Sequence, residues 1–402
     1  MSIFQKKVIV NVYNAYGNFI TSLANFTFDS FTKELNGGLS ELVLQTDKAF
    51  DYSGSELVLK NEVEIRIADK DTVALTGNAS SRIIYRGYIS MIDREVDGPR
   101  EIVRIHVLGF YTLLSIDVLK NSAQTSLYSN STTGLTTTLG SINAADIGLM
   151  VRAVIDRYRA ETTNPKISYD PNLVPLTSTT AQYTFEQKTY REALDILKGM
   201  APVGIFYYIN EVGQLTFKTK PTTATHKFIF GRHFSKVHVE HSLEKVRNFL
   251  LVWNGNSASP IYYHYQNDES ISLYGRRTER VTDYGIDTSG AAALLGTRFL
   301  ADNKKPDVRV TCVITDNNMS ENMGYDIESI QPGDTCSLYG FSQGFEGIFQ
   351  DNMLITAVEY SLNSVKITVE IVKSSLLELQ TKQETDIKNI SNGGFAISAS
   401  YS

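Results

Sequence analysis

Cysteine is scarce. Cys312 and Cys336 are the only two in 402 residues, too few for a disulfide scaffold, and no Cys-x-x-Cys pair is present to hold zinc. Tryptophan occurs once, at Trp253. No stretch reaches the ~18 uninterrupted apolar residues that a membrane-spanning helix needs. Polar residues interrupt every short apolar run within residues 1–20, so no Sec-type leader is expected. Neither sign of charge dominates: 38 Lys and Arg stand against 44 Asp and Glu, a net charge of -6. That balance excludes a strongly basic polyanion binder. With 42% apolar and 20% charged residues, the chain is not of the disordered class either. The expectation is a soluble protein of two or three domains, at ~150 residues per domain, made in a reducing cytoplasm.

What the sequence does have is alternation at period two. Val8, Val10 and Val12 alternate with Ile9, Asn11 and Tyr13, and Val63, Ile65 and Ile67 alternate with Glu62, Glu64 and Arg66. The latter reads as a half-buried strand whose charges stay in water. Val103, Ile105 and Val107 continue the pattern, as do Val308, Val310, Cys312 and Ile314, then Val365, Ile367, Val369 and Ile371. Turn signals separate the runs at Asn36-Gly37-Gly38, Asp97-Gly98-Pro99 and Pro332-Gly333-Asp334. Both ends of the chain are therefore β.

Helical signals are few and central. Ile147, Met150, Val151, Val154, Ile155 and Tyr158 predict an amphipathic helix over 144–160, with Asn143 as N-cap and Asp146 at the third position. Thr189-Tyr-Arg-Glu192 is a capping box, followed on one face by Leu194, Leu197 and Ala201. An Ala/Leu-rich stretch over 289–302 stops before Pro306. Residues 121–141 form a Ser/Thr/Asn-rich linker by composition. The last residues read as helical at first and then as a polar tail.

One internal echo stands out. Residues 87–108 and 353–371 each read strand, polar turn, strongly alternating strand. Two unrelated β-hairpins give that pattern, and so does a duplicated barrel with helical material inserted between its copies.

Sites of chemistry are weighed and set aside. Gly340-Phe-Ser-Gln-Gly344 fits Gly-x-Ser-x-Gly, but the last histidine, His264, lies upstream and no helix opens after it. His233, His238 and His241 are close in sequence, yet 238 and 241 point to opposite faces of a strand and no carboxylate or Cys stands at a zinc spacing. Asp316–Asn322 begins like a calcium loop, but Glu321 occupies the position that needs glycine. Trp253 with Ile261-Tyr-Tyr-His-Tyr265 offers an aromatic platform, Tyr263 and Tyr265 on one face and Tyr262 and His264 on the other, for which a place in the sheet is the simpler reading. No P-loop or dinucleotide fingerprint is present. No catalytic, cofactor-binding or metal-binding residue is expected, and the chain is not expected to be an enzyme.

Four stretches in order resemble the tail-hub, or baseplate-hub, proteins of tailed bacteriophages. They are Phe31-Thr-Lys-Glu-Leu-Asn-Gly-Gly-Leu39 leading to Arg86-Gly-Tyr-Ile-Ser90; Thr189–Leu197 leading to Gly204–Phe217; Val246–Gly255, similar to the strand that re-enters the second barrel; and the Ala-rich helix to Pro306, then Ile330–Asp334 and the strand 365–371. The resemblance covers most of residues 1–372. It implies a mainly β fold with an α+β insertion and two similar β-barrel domains: 1–115 first barrel, 116–245 insertion, 246–372 second barrel with an excursion over 256–305, and 373–402 a helical and polar tail. The role of 376–402 is not implied.

The resemblance further implies a homotrimer whose six barrels dock on a six-fold tail tube or distal tail ring and seat a three-fold spike or fibre. The implied partners are the chain itself, a distal tail or tail tube protein, a tape measure protein and a tail fibre or spike protein. DNA is passing cargo only, and the chain has no membrane span. The implied location is the virion tail tip, after assembly in the host bacterial cytoplasm. Many relatives continue into a fibre or hydrolase; with a sequence of 402 residues, any adhesin or lysin is expected on a separate polypeptide. Segments 31–39, 87–108 and 353–371 are the expected ring contacts. The competing class is a host-receptor protein whose Tyr-rich strands grip glycans; a cell-wall hydrolase is the third.

Overall fold

A computed structural model describes residues 7–23, 25–46, 54–68, 82–97, 100–119, 137–138, 141–185, 188–254, 260, 262–283, 286, 288–315, 325–340 and 352–370. The chain opens with β1 (Lys7–Tyr13), β2 (Phe19–Leu23), β3 (Phe26–Thr27), β4 (Phe31–Glu34), β5 (Leu42–Thr46), β6 (Glu62–Ala68), β7 (Arg82–Asp97) and β8 (Arg100–Gly109). Seven of these form one curled half-barrel in the order β2-β1-β6-β7-β8-β5-β3. The period-two residues line its interior: Val10, Val12, Val63, Ile65, Ile105 and Val107 are fully buried. Burial of each such side chain stabilises the sheet by ~1.5–3 kcal/mol.

The insertion follows as β9 (Thr137–Thr138), β10 (Ser141–Asp146), a helix Ile147–Glu161, β11 (Ser168–Tyr169), β12 (Thr180–Thr184), a helix Tyr190–Met200, β13 (Ile205–Ile209) and β14 (Gln214–Thr219). Two small sheets result, β12-β10-β9 and β11-β14-β13. The first helix begins later than the sequence predicts. Ala144 and Ala145 belong to β10, and the cap is Asp146, whose carboxylate accepts from the Gly148 amide at 2.7 Å. The same carboxylate also takes the Thr177 amide at 3.0 Å, a tertiary bond that fixes the cap there. The capping box at Thr189 forms as read, with both reciprocal bonds present.

Next come β15 (His226–Ile229), β16 (Val237–Ser242), β17 (Phe249–Trp253), β18 (Tyr262–Gln266), a short helix Asp268–Tyr274, β19 (Thr278–Thr282), a helix Ser289–Asn303, and finally β20 (Asp307–Thr315), β21 (Thr335–Tyr339), β22 (Met353–Ser361) and β23 (Ser364–Glu370). The second half-barrel runs β15-β21-β22-β23-β20-β16. Among the described residues neither barrel path closes on itself.

The boundary expected at 245/246 needs correction. β15 and β16, read as part of the insertion, are strands of the second half-barrel. Conversely, β17 does not re-enter that barrel but pairs with β18 and β19. Leu250 and Val252 pack in the insertion core with Ile286, Ala291 and Ala292. Phe249–Trp253 is apolar on both faces, so its pattern names no particular core. The first barrel also ends sooner than 115: Phe110–Ser115 is a 3-10 turn whose Phe110 and Leu114 join the insertion core.

The two half-barrels are one design used twice. Taken in chain order, β1, β3, β5, β6, β7, β8 and β15, β16, β20, β21, β22, β23 occupy the same places in their sheets. Register matches too. Glu62 pairs Tyr88 as Thr335 pairs Leu354, and Leu42–Val107–Ile89 form one buried row as Val310–Val369–Ile355 form the other. Both long strands carry a bulge at the next residue, Ser90 and Thr356. Each bulge hydroxyl donates 3.2 Å to a facing carbonyl, Ser90 to His106 and Thr356 to Thr368. Upstream, the Lys60 amide donates to Ile89 as the Gly333 amide donates to Ile355, and Lys60 (φ 68°) and Gly333 (φ 89°) share the left-handed conformation. The sheets depart where β1 lies antiparallel to β6 but β15 parallel to β21, and where β2 has no twin among the described residues.

Candidate assembly interface

The segment 31–39 sits where all three bodies meet. β4 leaves the first barrel and adds to the edge of β22, with Phe31 opposite Tyr360 and Glu34 opposite Ala357. The Phe31 ring lies 4.9 Å from that of Tyr85 in the first barrel and 5.2 Å from that of Tyr360 in the second. It is the wedge that makes their cores continuous. Immediately after, the Asn36 amide donates to the Tyr207 carbonyl at 2.8 Å, and the Ile209 amide donates to the Gly37 carbonyl at 3.0 Å. A Cβ on Gly38 would stand 2.9 Å from the Ile209 carbonyl oxygen and 3.0 Å from Tyr111 Cβ, so the close approach requires glycine. These backbone bonds are spent within the chain. The expected ring contact at 31–39 is thus an internal joint, with Glu34 exposed beside it.

Lys33 is buried in that joint, its Nζ 3.2 Å from Gln331 Oε1 and 3.5 Å from Glu211 Oε2. Burial pulls its pKa below the ordinary lysine value, with Glu211 opposing the shift. A second buried ionic cluster ties the first barrel to the insertion. Arg86 Nη2 lies 2.9 Å from Glu62 Oε2, Arg66 Nε 2.6 Å from Glu64 Oε1, and Lys166 also pairs with Glu62. The sequence pattern put Glu62 and Glu64 in water. Instead both are buried: Lys166 of the insertion pairs with Glu62, and Tyr13, Arg66 and Arg86 of the sheet hold Glu64.

The hairpin 87–108 turns Ile89, Val103, Ile105 and Val107 inward, leaves Met91 and Val96 exposed, and carries charged pairs on its outer face, where Arg104 pairs with Asp93 and Glu95 and His106 Nδ1 lies 2.6 Å from Glu41. Beside it, Leu57, Val58, Leu59, Ser90, Met91 and Ile92 line an open hollow of about 620 Å³. In the hairpin 353–371, the matching side of β22 is occupied by β4, and residue 371 lies outside the described residues.

The histidines disperse. His238 and His241 are exposed on the edge strand β16, while buried His233 accepts the Ile229 amide at 3.1 Å through Nδ1, and burial lowers its pKa. Among the described residues, no three His, Cys, Asp or Glu side chains stand ready for a metal ion. Sequence reasoning missed His226, buried with Nδ1 3.0 Å from the Tyr325 hydroxyl and Nε2 3.1 Å from Asp334 Oδ2. Residues 341–344 of the Gly-x-Ser-x-Gly stretch, the calcium-like loop 316–322, most of the linker 121–141 and the tail 373–402 lie outside the described residues.

The aromatic platform divides as its alternation predicts, Trp253 opposite Tyr262 and Val252 opposite Tyr263. Tyr265 packs against the helix Ser289–Asn303, where a Cβ on Gly296 would lie 2.2 Å from its ring, and Arg280 stands over Trp253 at 5.0 Å. Tyr262 and Tyr263 are exposed. Among the described residues, no helix is long and apolar enough to cross a membrane.

No protein-family model and no curated protein sequence matches the chain. Solved structures do. The 43 kDa tail protein of prophage MuSo2 from Shewanella oneidensis aligns with a TM-score of 0.57 at 12% identity, over 91% of this chain and 98% of that one. The prophage tail protein gp18 from Listeria monocytogenes EGD-e gives 0.51 at 13% identity, over 94% and 99%. The tail protein from Neisseria meningitidis MC58 gives 0.54 at 8% identity, over 91% and 96%. The chain has the fold of phage tail proteins. At such identities the likeness lies in the path of the backbone, and it spans both half-barrels and the insertion.

Proposed function

We propose that the chain is a structural protein of a phage virion, the trimeric hub of a tail tip or baseplate. In this reading three copies join a six-fold tail tube or distal tail ring to a three-fold spike or fibre and surround the channel through which DNA leaves. The observation that carries it is the in-register repeat: three copies supply six near-equivalent half-barrels, and a tandem repeat lets a three-fold object match a six-fold one. The fold shared with tail proteins from three prophage or bacterial sources supports the same reading.

The functional division follows the cores. Strands β1–β8 and strands β15, β16 and β20–β23 form the ring, and the insertion, including β17–β19, stands on it. The further partners are a distal tail or tail tube protein, a tape measure protein and a fibre or spike protein, with assembly in the host cytoplasm. No catalytic step is assigned. Light scattering of the 44.8 kDa chain, alone and mixed with its distal tail protein, tests the reading: a three-chain particle is expected. A chain that stays single under both conditions overturns it.

The glycan-binding alternative rests on Tyr262, 59% exposed on one face of its strand; Tyr263, 43% exposed, lies on the other. Glycan-array binding that is lost in Tyr262→Ala would favour it over a hub.

A further inference from the structure

The repeat allows each surface of one half-barrel to be compared with its twin, and one pair of twins differs sharply. In the second barrel, the side of β22 beyond the bulge is covered by the chain's own β4, which pairs with Ala357–Tyr360. The turn beside it is covered as well. Gln331 accepts a hydrogen bond from Lys33, Pro332 and Gly333 are buried, and the Phe206 ring comes so near that a Cβ on Gly333 would lie 2.5 Å away.

The twin surface on the first barrel is built from the same backbone. Ile89 and Ile355 receive and donate equivalent main-chain bonds, so Val58, Leu59 and Lys60 stand where Gln331, Pro332 and Gly333 stand. Met91–Arg94 likewise occupy the place of Ala357–Tyr360. Among the described residues, no strand pairs with Met91–Arg94 on the side away from β8. Val58 is 59% exposed, Leu59 57% and Met91 48%. At the turn, exposed Val58 and Leu59 stand where the covered twin has Gln331 and Pro332, and exposed Met91 stands where it has Ala357, larger apolar side chains than a permanently wet surface favours.

We infer that this surface of the first barrel, centred on Val58, Leu59 and Met91, is covered in the assembly by the second half-barrel of a neighbouring copy of the chain. The occupant follows from the repeat. A closed ring of near-equivalent units has a junction between each unit and the next. The chain already makes one such junction, from its first half to its second, filled by β4; at the corresponding place between β16 and β20 it forms β17–β19 and two helices, so the other junctions are filled by a different surface of the second half. The remaining junctions of the ring run from the second half of one copy to the first half of the next, and they fall on the bare twin. Among the described residues, the edge at Met91–Arg94 has no strand partner on that side, a place where a neighbouring segment adds by main-chain pairing.

The inference rests on the ring reading above, and its test separates the two. The full chain is followed by light scattering and by amide hydrogen exchange, in the wild type and in Leu59→Asp, Met91→Asp and the distant exposed control Leu176→Asp. All three side chains are exposed, so circular dichroism should be unchanged. Leu59→Asp and Met91→Asp are expected to weaken association at least tenfold, the control not at all. In the wild-type particle, the amides of residues 91–94 are expected to exchange at least tenfold more slowly than in the single chain. A three-chain particle in which those amides exchange at the single-chain rate, or which both variants form normally, overturns the inference and leaves the ring. Failure of the wild type to associate, alone or with its distal tail protein, overturns both. Should an aspartate variant unfold, the exchange rates of the wild type alone decide.

Discussion

Gly333 offers the sharpest test of how the insertion is seated on the second barrel. Its φ is +89°, and an added Cβ would lie 2.5 Å and 2.7 Å from two atoms of the Phe206 ring. Gly333→Ala therefore combines a backbone and a packing penalty. An L-residue in the left-handed region costs ~1–2 kcal/mol, offset by ~0.4–1 kcal/mol from the stiffer unfolded chain. Forcing a methyl group into a filled site adds ~1–3 kcal/mol. The net loss expected is ~1–5 kcal/mol in urea denaturation. Gly231→Ala is the control, because its φ is +80° but nothing lies within 4 Å of the added Cβ. That variant should lose only ~1 kcal/mol. The difference between the two isolates the Phe206 contact, and in a Phe206→Ala background it should vanish. Equal losses in the two glycine variants would refute the packing described here.

Phe31→Ala should cost ~3–5 kcal/mol, the usual loss for a buried ring, and should speed amide exchange in Ala357–Tyr360; a surface-like loss below ~0.5 kcal/mol would contradict the wedge. Lys33 carries a pKa lowered by burial, so between that value and 10.5 the unfolded chain holds a proton that the folded chain has released. Stability conferred by this group therefore rises with pH across that window, and Lys33→Met combined with Glu211→Gln should remove the rise; parallel pH profiles for variant and wild type would exclude it. Both thiols are buried and pushed up, that of Cys336 to about 12, so a thiol reagent should label neither until the chain unfolds. Rapid labelling of the native protein at pH 8 would place them elsewhere.

The barrels were legible because their interior rows obey period two: Val103, Ile105 and Val107, and Val365, Ile367 and Val369, announce buried strand faces. The echo of residues 87–108 in 353–371 was visible as well. The rest of the repeat was not. Val58-Leu59-Lys60-Asn61 and Gln331-Pro332-Gly333-Asp334 share no residue, because main-chain bonds define the turn and place little demand on side-chain identity. Lys33 was illegible as a buried group for a different reason. A lysine in a four-residue strand reads as solvent-facing, and only the approach of Glu211 and Gln331 from two other bodies encloses it. The domain boundary failed at β17, where Phe249-Leu-Leu-Val-Trp253 satisfies any core. The segment 31–39, expected as a ring contact, pairs within the chain, and the sequence did not distinguish the two uses, since a segment that pairs within the chain and one that pairs between chains have the same composition.

The most direct test of the central claim is a three-dimensional image of the particle formed by the full chain, at a resolution that shows individual sheets. Six curled sheets at one radius around an open axis, two from each of three copies and alternating around the ring, are predicted. A particle whose first and second half-barrels lie at different radii, or whose copies number other than three, would contradict it.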